Sequence, residues 1–478
     1  MRIVLLVVVA FCVAGLATWQ IGRPTRAESA DGPVVIDYWE KWTGIEAAAM
    51  QGVVDDFNKS QSRIFVRMLS TSAIDQKLML AISAGRPPDV AGLWSHTVNV
   101  YAEKGALLPL DRMAANAGVR REDYVPVLWE LCSHKGFLWA LPTVPSSLAM
   151  HWNRAAFRNA GLDPDRPPLS IAELDDIAEK LTVVNVVENG RTVQKRFTEL
   201  TPAQRDSHAF EIVRLGFSPG IPGFWNPMWG TWFGGRLWDG KRAITSDAPA
   251  NVAAFEWFQS YVRKYGVDNL RAFASSFGNF ASPQDPFLSG KVAIVLQGVW
   301  MQNFIEKYAP KLDWDAAAFP SIDPKRLGDT TIVESDVLVI PKGSAHPREA
   351  FEFARFVNRQ AEAEKLAIGQ RKTSPLAKVS ADFYDRHPNP HARLFAKLIQ
   401  SPNAVYVPRC AVWNEYSDEM TAAVDRISSL SSSPAEALAE VRQRMQWKLD
   451  RVNRRWDAVG AARVDEWREE VGQQGARP

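Results

Sequence analysis

The sequence is poor in the residues that build metal and disulfide sites. Its 478 residues include three cysteines and seven histidines. The histidines are scattered, and no Cys/His group has the spacing of a zinc site. We therefore expect no metal and no cofactor. Cys12 lies in an N-terminal apolar run, and we expect Cys132 and Cys410 to be small buried residues, although a disulfide between them stays open.

The chain also lacks an excess of either charge. Lysine and arginine total 56, and aspartate and glutamate total 54. Removal of residues 1–27, which hold three arginines and no acid, would leave a net charge of about −1. Proteins that bind nucleic acids usually carry a basic stripe. The composition therefore predicts no nucleic-acid partner.

The sequence contains neither a phosphate-binding loop nor a dinucleotide-binding glycine turn. Residues 216–220 match the G-x-S-x-G motif of a hydrolase nucleophile, but that motif needs a helix directly after the serine, and Pro219 and Pro222 oppose one. We therefore predict that the protein is not an enzyme. A secreted carbohydrate-active enzyme stays an alternative, because spacing in sequence does not show whether two carboxylates face each other across a cleft.

The N-terminus has the pattern of a secretory signal. Arg2 precedes an apolar run over residues 3–19, and Thr25-Arg26-Ala27 supplies small residues at the −3 and −1 positions of a cleavage site. The pattern predicts either cleavage after Ala27 or a membrane anchor through residues 3–19, a run at the short limit for spanning a bilayer. Both alternatives place the rest of the chain in the periplasm or elsewhere outside the cytoplasmic membrane.

Hydrophobic periodicity predicts an α/β protein. Short apolar runs that read as strands occur at residues 34–38, 64–69, 88–91 and 148–153. Amphipathic patterns between the first three predict helices at residues 46–60 and 74–84. Strands separated by helices pair in parallel through right-handed crossovers. The length of the chain predicts at least two lobes.

The second half of the chain is less regular. We predict that much of the proline-rich stretch 183–235 forms loops or an insertion at the mouth of a cleft. One long helix is predicted from His346-Pro347 to Gly369, and another begins at Ser433-Pro434. Residues 461–478 read as a polar, partly frayed tail.

Tryptophan is the residue that is abundant. The chain has 18 tryptophans, and several stand beside glycine, proline or polar residues rather than in apolar stripes. Indole faces suit the C–H faces of pyranose rings, and ligand pockets combine an aromatic lining with a few polar groups. Tryptophan is also a common core residue, which is the competing interpretation for each one.

Several segments together resemble the extracellular solute-binding proteins of ABC importers, in the family that includes the maltose and glycerol-phosphate receptors. The segments are 34–44, 86–90, 150–162, 287–300 and 337–344. Gly298-Val299-Trp300 is similar to the "GPW" turn of that family, with valine in place of proline. The order of these segments along the chain carries the resemblance.

The resemblance implies the two-lobe periplasmic-binding-protein fold of type II, a hinged clamp. It places an N-lobe at residues 34–142 plus 336–378 and a C-lobe at residues 143–335 plus 379–460, with 461–478 as the tail. It implies a monomer that captures a small-molecule carbohydrate, with an oligosaccharide as the first expectation, and delivers it to the transmembrane subunits of an ABC permease. The alternatives are a glycerol-phosphate or polyol receptor and the secreted enzyme.

The same resemblance implies a set of ligand-binding residues. Trp42 and Trp94 would act from the N-lobe, with Glu40, Ser95 and Asp336 as partners for hydroxyl groups. The C-lobe would contribute four tryptophans: Trp225, Trp229, Trp300 and Trp413.

Overall fold

A computed structural model of the chain describes residues 32–278, 281–323, 326 and 328–473. The predicted signal or anchor at residues 1–27 lies outside these residues. None of the described helices combines the length and the apolar character needed to cross a membrane.

Strands and helices alternate along most of the chain. The strands of the described part are β1 Val34–Glu40, β2 Ile64–Ser70, β3 Val90–Trp94, β4 Ser133–His134, β5 Phe137–Leu138, β6 Ala140–Asn153, β7 Val183–Glu188, β8 Arg191–Arg196, β9 Phe210–Arg214, β10 Ile294–Gly298, β11 Trp314–Ala317, β12 Thr331–Val339 and β13 Ala404–Val405. The α-helices are α1 Gly44–Ser60, α2 Ile74–Ser83, α3 Val98–Glu103, α4 Asp111–Asn116, α5 Pro126–Cys132, α6 Arg154–Asn159, α7 Ile171–Leu181, α8 Pro202–Asp206, α9 Pro249–Tyr265, α10 Val267–Ala274, α11 Met301–Tyr308, α12 Pro347–Val357, α13 Gln360–Gln370, α14 Ala392–Ile399, α15 Trp413–Ser428 and α16 Pro434–Gln473.

One eight-stranded sheet runs through both lobes. Its strand order is β10-β6-β12-β3-β1-β2, with β11 on β6 and β13 on β12. β1 pairs in parallel with β2 and with β3, which confirms the parallel pairing predicted from the alternating strands and helices. β6 and β12 are long antiparallel neighbours, and they carry the chain from one lobe to the other.

The side chains pack into two large hydrophobic clusters. One takes residues from the chain between Ile36 and Val144 and between Val337 and Phe383. The other takes residues between Leu148 and Ile332 and between Val407 and Leu449. Two changes of cluster fall within β6 and β12, and a third falls between Phe383 and Val407. The two strands therefore form part of the hinge between two separately packed lobes.

The prediction of loops over residues 183–235 is wrong in its first part. β7, β8 and β9 form a three-stranded antiparallel sheet within this stretch. β7 and β8 are joined by Asn189-Gly190, whose φ angles are 51° and 73°. Two residues with positive φ form the type I′ turn that suits a two-residue hairpin, and Asn-Gly is its preferred sequence. The hairpin could therefore have been predicted from this dipeptide.

The helix predicted from Pro347 to Gly369 is two helices. α12 ends at Val357 and α13 begins at Gln360. Asn358 turns its side chain back to donate to the carbonyl of Ala354, and Arg359 has extended backbone angles. This side-chain bond competes with the helical pattern and ends α12.

The prediction of a partly frayed tail is wrong for residues 461–473. α16 continues to Gln473, and Trp467 is 2% exposed. Its ring packs at 4.8 Å from the ring of Trp139, in the hydrophobic cluster of the N-lobe. The first half of the same helix, through Leu449, packs in the C-lobe cluster. A single helix therefore contacts both lobes, and residues 474–478 of the predicted tail lie outside the described part.

Cys132 and Cys410 are both buried and unpaired. This confirms the expectation of two small buried residues. Burial raises the pKa of the Cys410 thiol to about 12, so neither reactivity nor pairing is favoured at that position.

Candidate functional site

A cavity of about 350 Å³ lies between the two lobes. This volume is at the lower end of the ~300–1,000 Å³ range of small-molecule sites. The N-lobe and the two hinge strands contribute polar and aromatic side chains, and the C-lobe contributes aromatic ones. The lining residues are Trp42, Glu46, Trp94, Ser146, Phe224, Trp225, Trp300, Phe304, Glu334, Asp336 and Lys372.

The N-lobe wall is built on a pair of tryptophans. Trp42 lies in the loop between β1 and α1, and Trp94 ends β3. Their rings meet edge to face with centroids 5.8 Å apart. The ammonium group of Lys41 lies 5.0 Å from the Trp42 ring and 5.4 Å from the Trp94 ring. Cation–π attraction therefore adds to the packing that holds the pair.

The C-lobe wall carries a second pair of tryptophans. Trp225 and Trp300 have ring centroids 6.2 Å apart. Trp300 folds back over Gly298, where a Cβ atom would lie 2.2 Å from the indole ring. Glycine is therefore required at 298 for this ring position. The indole nitrogen of Trp225 has no hydrogen-bond partner within the described part of the protein.

A buried ionic cluster lies beneath the Trp42 ring. Asp336 accepts from Lys372 and from the Trp42 indole, both at 3.0 Å, and Lys41 lies 3.2 Å away. Lys372 also pairs with Glu46 at 2.8 Å. Burial alone would raise the pKa of Asp336, but the charges of Lys372 and Lys41 outweigh it, and the pKa is lowered. Burial acts against the charge of Lys372, but Asp336 and Glu46 raise its pKa.

A second polar group centres on Glu334 of β12. Its carboxylate accepts from the Ser95 hydroxyl at 3.2 Å and lies 2.7 Å from Nδ1 of His96. The His96 ring stacks beside Trp94, with centroids 6.2 Å apart. Burial would lower the pKa of His96, but the neighbouring Glu334 raises it above the usual value. Glu334 therefore joins the hinge strand to the loop that presents Trp94.

A family model for bacterial extracellular solute-binding proteins matches residues 41–364. The chain belongs to this family. Membership places the protein outside the cytoplasm, as the sequence predicted. It also agrees with the two lobes and the cavity between them.

Curated relatives and solved structures agree with this membership. An uncharacterised ABC transporter extracellular-binding protein of Pyrococcus horikoshii is 21% identical over 414 residues, which cover 82% of this chain and 84% of that protein. A maltotriose-binding protein of Pyrococcus abyssi is 22% identical over 299 residues, 62% of this chain and 55% of that protein.

Among solved structures, a protein named CpMnBP1 with mannotriose bound has a TM-score of 0.71 and 27% identity, covering 86% of this chain and 99% of that one. UgpB of Mycobacterium tuberculosis with glycerophosphocholine has a TM-score of 0.68 and 22% identity, covering 88% and 99%, and shows the shared fold.

Five of the nine residues implied by the family resemblance line the cavity: Trp42, Trp94, Trp225, Trp300 and Asp336. The other four do not reach it. For each of these four, a contact elsewhere in this solute-binding protein explains why.

Glu40 and Ser95 are turned away from the cavity. Glu40 is 2% exposed and accepts from the Tyr38 hydroxyl and from the backbone of Lys41 and Trp42. Its carboxylate fills the space where Gly92 has no side chain. Ser95 is buried, with its hydroxyl between Glu334 and the backbone of Ser335. Both residues shape the loops that hold the tryptophans, and neither side chain lines the cavity.

Trp229 and Trp413 belong to the core of the C-lobe. Trp229 is 2% exposed, packs 5.3 Å from Trp257 and donates its indole N–H to the carbonyl of Pro219. Trp413 is buried at the start of α15 against Tyr416, with ring centroids 5.7 Å apart. The core interpretation of tryptophan therefore applies to the position of these two rings, and neither lines the cavity.

Six lining residues were missed: Glu46, Ser146, Phe224, Phe304, Glu334 and Lys372. Phe224 adjoins Trp225, and Glu334 lies two residues before Asp336, so both could have been inferred from their neighbours. Lys372 follows the end of α13 and reaches the cavity only because α13 packs on α1. No local pattern indicates that contact.

The described residues include neither a metal site nor a nucleophile elbow. No group of three or more His, Cys, Asp or Glu side chains there could hold a metal ion. Ser218 of the G-x-S-x-G match is buried, and the next helix along the chain is a 3-10 helix at Asn226–Phe233. The context of a nucleophile elbow is therefore missing, as the sequence predicted.

Proposed function

We propose that the protein captures a carbohydrate in the cavity between its lobes, as the substrate-binding component of an ABC importer. The observation that carries the proposal is the pair of tryptophans that each lobe contributes to one cavity. Two aromatic walls can hold the faces of successive sugar rings, and an oligosaccharide is the ligand that uses both.

We assign the aromatic contacts to Trp42 and Trp94 of the N-lobe and to Trp225 and Trp300 of the C-lobe. Asp336, held beneath Trp42, supplies an acceptor for hydroxyl groups. The Trp225 indole N–H, which has no other partner among the described residues, supplies a donor. Buried polar groups of this kind gain a partner when the ligand arrives, which favours binding.

The relatives support a sugar ligand. The solved structures of CpMnBP1 contain mannobiose and mannotriose and are 26% and 27% identical to this chain. One curated relative is named for maltotriose. These ligands are short oligosaccharides, which is the class proposed here.

Capture requires closure of the lobes, and closure requires a ligand that contacts both. We propose lobes at residues 34–142 plus 336–378 and 143–335 plus 379–460, with α16 reaching across. The two hydrophobic clusters support this division. The closed monomer would then deliver the sugar to the permease, without chemical change to it.

A glycerol-phosphate ligand is the second candidate, since several relatives are named sn-glycerol-3-phosphate-binding proteins. The charges of this cavity disfavour it. Lys372 is already paired with Asp336 and Glu46, and Glu334 adds a further carboxylate to the wall. A phosphate would need cations that are free to pair with it.

The experiment is a titration of the purified protein with mono- and oligosaccharides, polyols and glycerol phosphates. Tryptophan fluorescence and melting temperature are followed together, and each ligand is recovered for analysis. A ligand at ~100 times its Kd should add ~2.7 kcal/mol of stability. The proposal expects saturable binding of an oligosaccharide that is recovered intact. Binding of glycerol phosphate alone, or recovery of cleaved sugar, would contradict it.

A further inference from the structure

A second cavity, of about 200 Å³, lies beside the first. The C-lobe lines it with the 3-10 helix Asn226–Phe233 and the turn around Arg236 and Trp238. The segment around Tyr406 and Arg409 closes its other side. The volume is below the ~300–1,000 Å³ of whole small-molecule sites, so it suits one ring or one substituent of a larger ligand.

The two cavities are neighbours along the hinge. Phe224 and Trp225 line the first cavity, and the helix that follows them lines the second. Val405 of the second cavity pairs with Ile332 of β12, two residues before Glu334 of the first. Two residues of a strand span ~6.6 Å. The linings of the two cavities are therefore within reach of one ligand of two or three sugar rings.

The second cavity differs from the first in charge. Arg236 and Arg409 line it, and in the part of the chain that the structure describes neither forms an ion pair. Arg409 donates to the backbone carbonyls of Glu130 and Ser133, and its Nε atom has no partner. The indole nitrogen of Trp238 is likewise buried without a partner.

Glu130 places a negative charge near Arg409, whereas Arg236 forms no ion pair with a carboxylate in the described part of the chain. The Glu130 side chain accepts from the Tyr406 hydroxyl at 2.9 Å. Asp239 is held by the backbone N–H groups of its own turn, including that of Lys241 at 2.7 Å. Arg236 is exposed and free to reorient toward a ligand. Arg236 therefore offers the cavity a positive charge that has no fixed counter-charge.

We propose that this second cavity is a subsite for an anionic group on the sugar, either a uronate carboxylate or a sugar phosphate. Planar guanidinium groups recognise both anions through paired hydrogen bonds. The neutral rings would lie against the tryptophans of the first cavity, and the acidic group would lie against Arg236. This proposal rests on the proposed function, because the anion is bound as part of a carbohydrate.

The test uses mannotriose and maltotriose, each in three forms: neutral, with one terminal ring oxidised to a uronate, and with a terminal 6-phosphate. Binding is measured by calorimetry at low and at high salt. One of the two acidic forms should bind roughly 10- to 100-fold more tightly than its neutral parent at low salt, and high salt should reduce the difference. The form that gains affinity identifies the anion.

Arg236→Gln and Arg236→Glu should remove that gain while leaving the neutral sugar within about twofold of its original affinity. Arg242→Gln is the matched control, because Arg242 lies on the same hairpin but pairs with Asp457 on the surface. It should leave the gain intact. Thermal unfolding checks that each variant folds.

Three results would overturn the subsite alone: equal affinity for neutral and acidic forms, a gain that survives both Arg236 variants, or a loss of neutral binding in Arg236→Gln. Failure of every form to bind would overturn the proposed function together with the subsite. The subsite would be established if both Arg236 variants removed the gain in affinity for the acidic sugar and the Arg242 control kept it.

Discussion

At the scale of single residues, the site depends on where each charged group finds its partner. Asp336 is enclosed by Lys41, Lys372 and the Trp42 indole, so it fixes the position of an aromatic ring while balancing two buried ammonium groups. Removal of one partner from a buried ion pair leaves the others uncompensated, which costs more than the pair itself contributes.

Asp336→Asn should therefore lower the free energy of unfolding by about 3–5 kcal/mol, because two buried lysines lose a counter-charge. Urea denaturation at neutral pH measures the change. Glu306→Gln is the control: it removes an exposed partner of Arg371 and should cost less than about 1 kcal/mol. Equal losses of unfolding free energy in the two variants would show that Asp336 does not balance the charges of Lys41 and Lys372.

The same variant makes a prediction about pH. The pKa of Asp336 is lowered, so its stabilising contribution is fully present above the ordinary aspartate value of 3.8 and is lost as pH falls through the lowered pKa. The loss of stability of the native protein below about pH 4 should be shallower in Asp336→Asn. If the variant lost stability below about pH 4 as steeply as the native protein does, other carboxylates would be the cause of that loss.

Sequence reasoning located the loops of the site better than the direction of each side chain. Trp42 and Trp94 follow the carboxyl ends of parallel strands, where ligand sites of α/β sheets lie. Glu40, in contrast, shares the buried face of β1 with Tyr38, and only the missing side chain of Gly92 makes room for it. Such a contact joins two strands and cannot be inferred from either one.

At the scale of elements, local periodicity predicted those helices and strands whose buried face is set by near neighbours. α1 and α2 and the first three strands were found within a few residues. The end of α16 was missed because residues 461–473 are mostly polar. Two of their apolar side chains, Val464 and Trp467, pack on a lobe that is distant in sequence.

Trp467→Ala should lower the free energy of unfolding by about 3–5 kcal/mol, the usual cost of truncating a buried tryptophan. Chemical denaturation measures it. Trp447→Ala is the matched control, because Trp447 lies on the same helix and is 60% exposed, and it should change stability by less than about 1 kcal/mol. Stability of the Trp467 variant equal to that of the control would show that the end of α16 does not pack on the N-lobe.

At the scale of the whole molecule, four connections join the lobes: β6, β12, the segment between Phe383 and Val407, and α16. α16 is anchored by Leu449 in the C-lobe and by Trp467 in the N-lobe. These two residues are 18 positions apart, which corresponds to ~27 Å of helix. Rotation of one lobe against the other must therefore bend α16 or shift its packing. We expect the hinge to allow a smaller opening than β6 and β12 would allow alone.

The central claim is that the ligand is held between the lobes, by a tryptophan pair from each. The most direct measurement is calorimetry of the tightest-binding oligosaccharide with Trp42→Ala, Trp300→Ala and the exposed control Trp447→Ala. We predict that each cavity variant loses at least ~10-fold in affinity, about 1.4 kcal/mol, and that the control keeps it. Unchanged affinity in either the Trp42 or the Trp300 variant, with the fold intact, would contradict a site shared by both lobes.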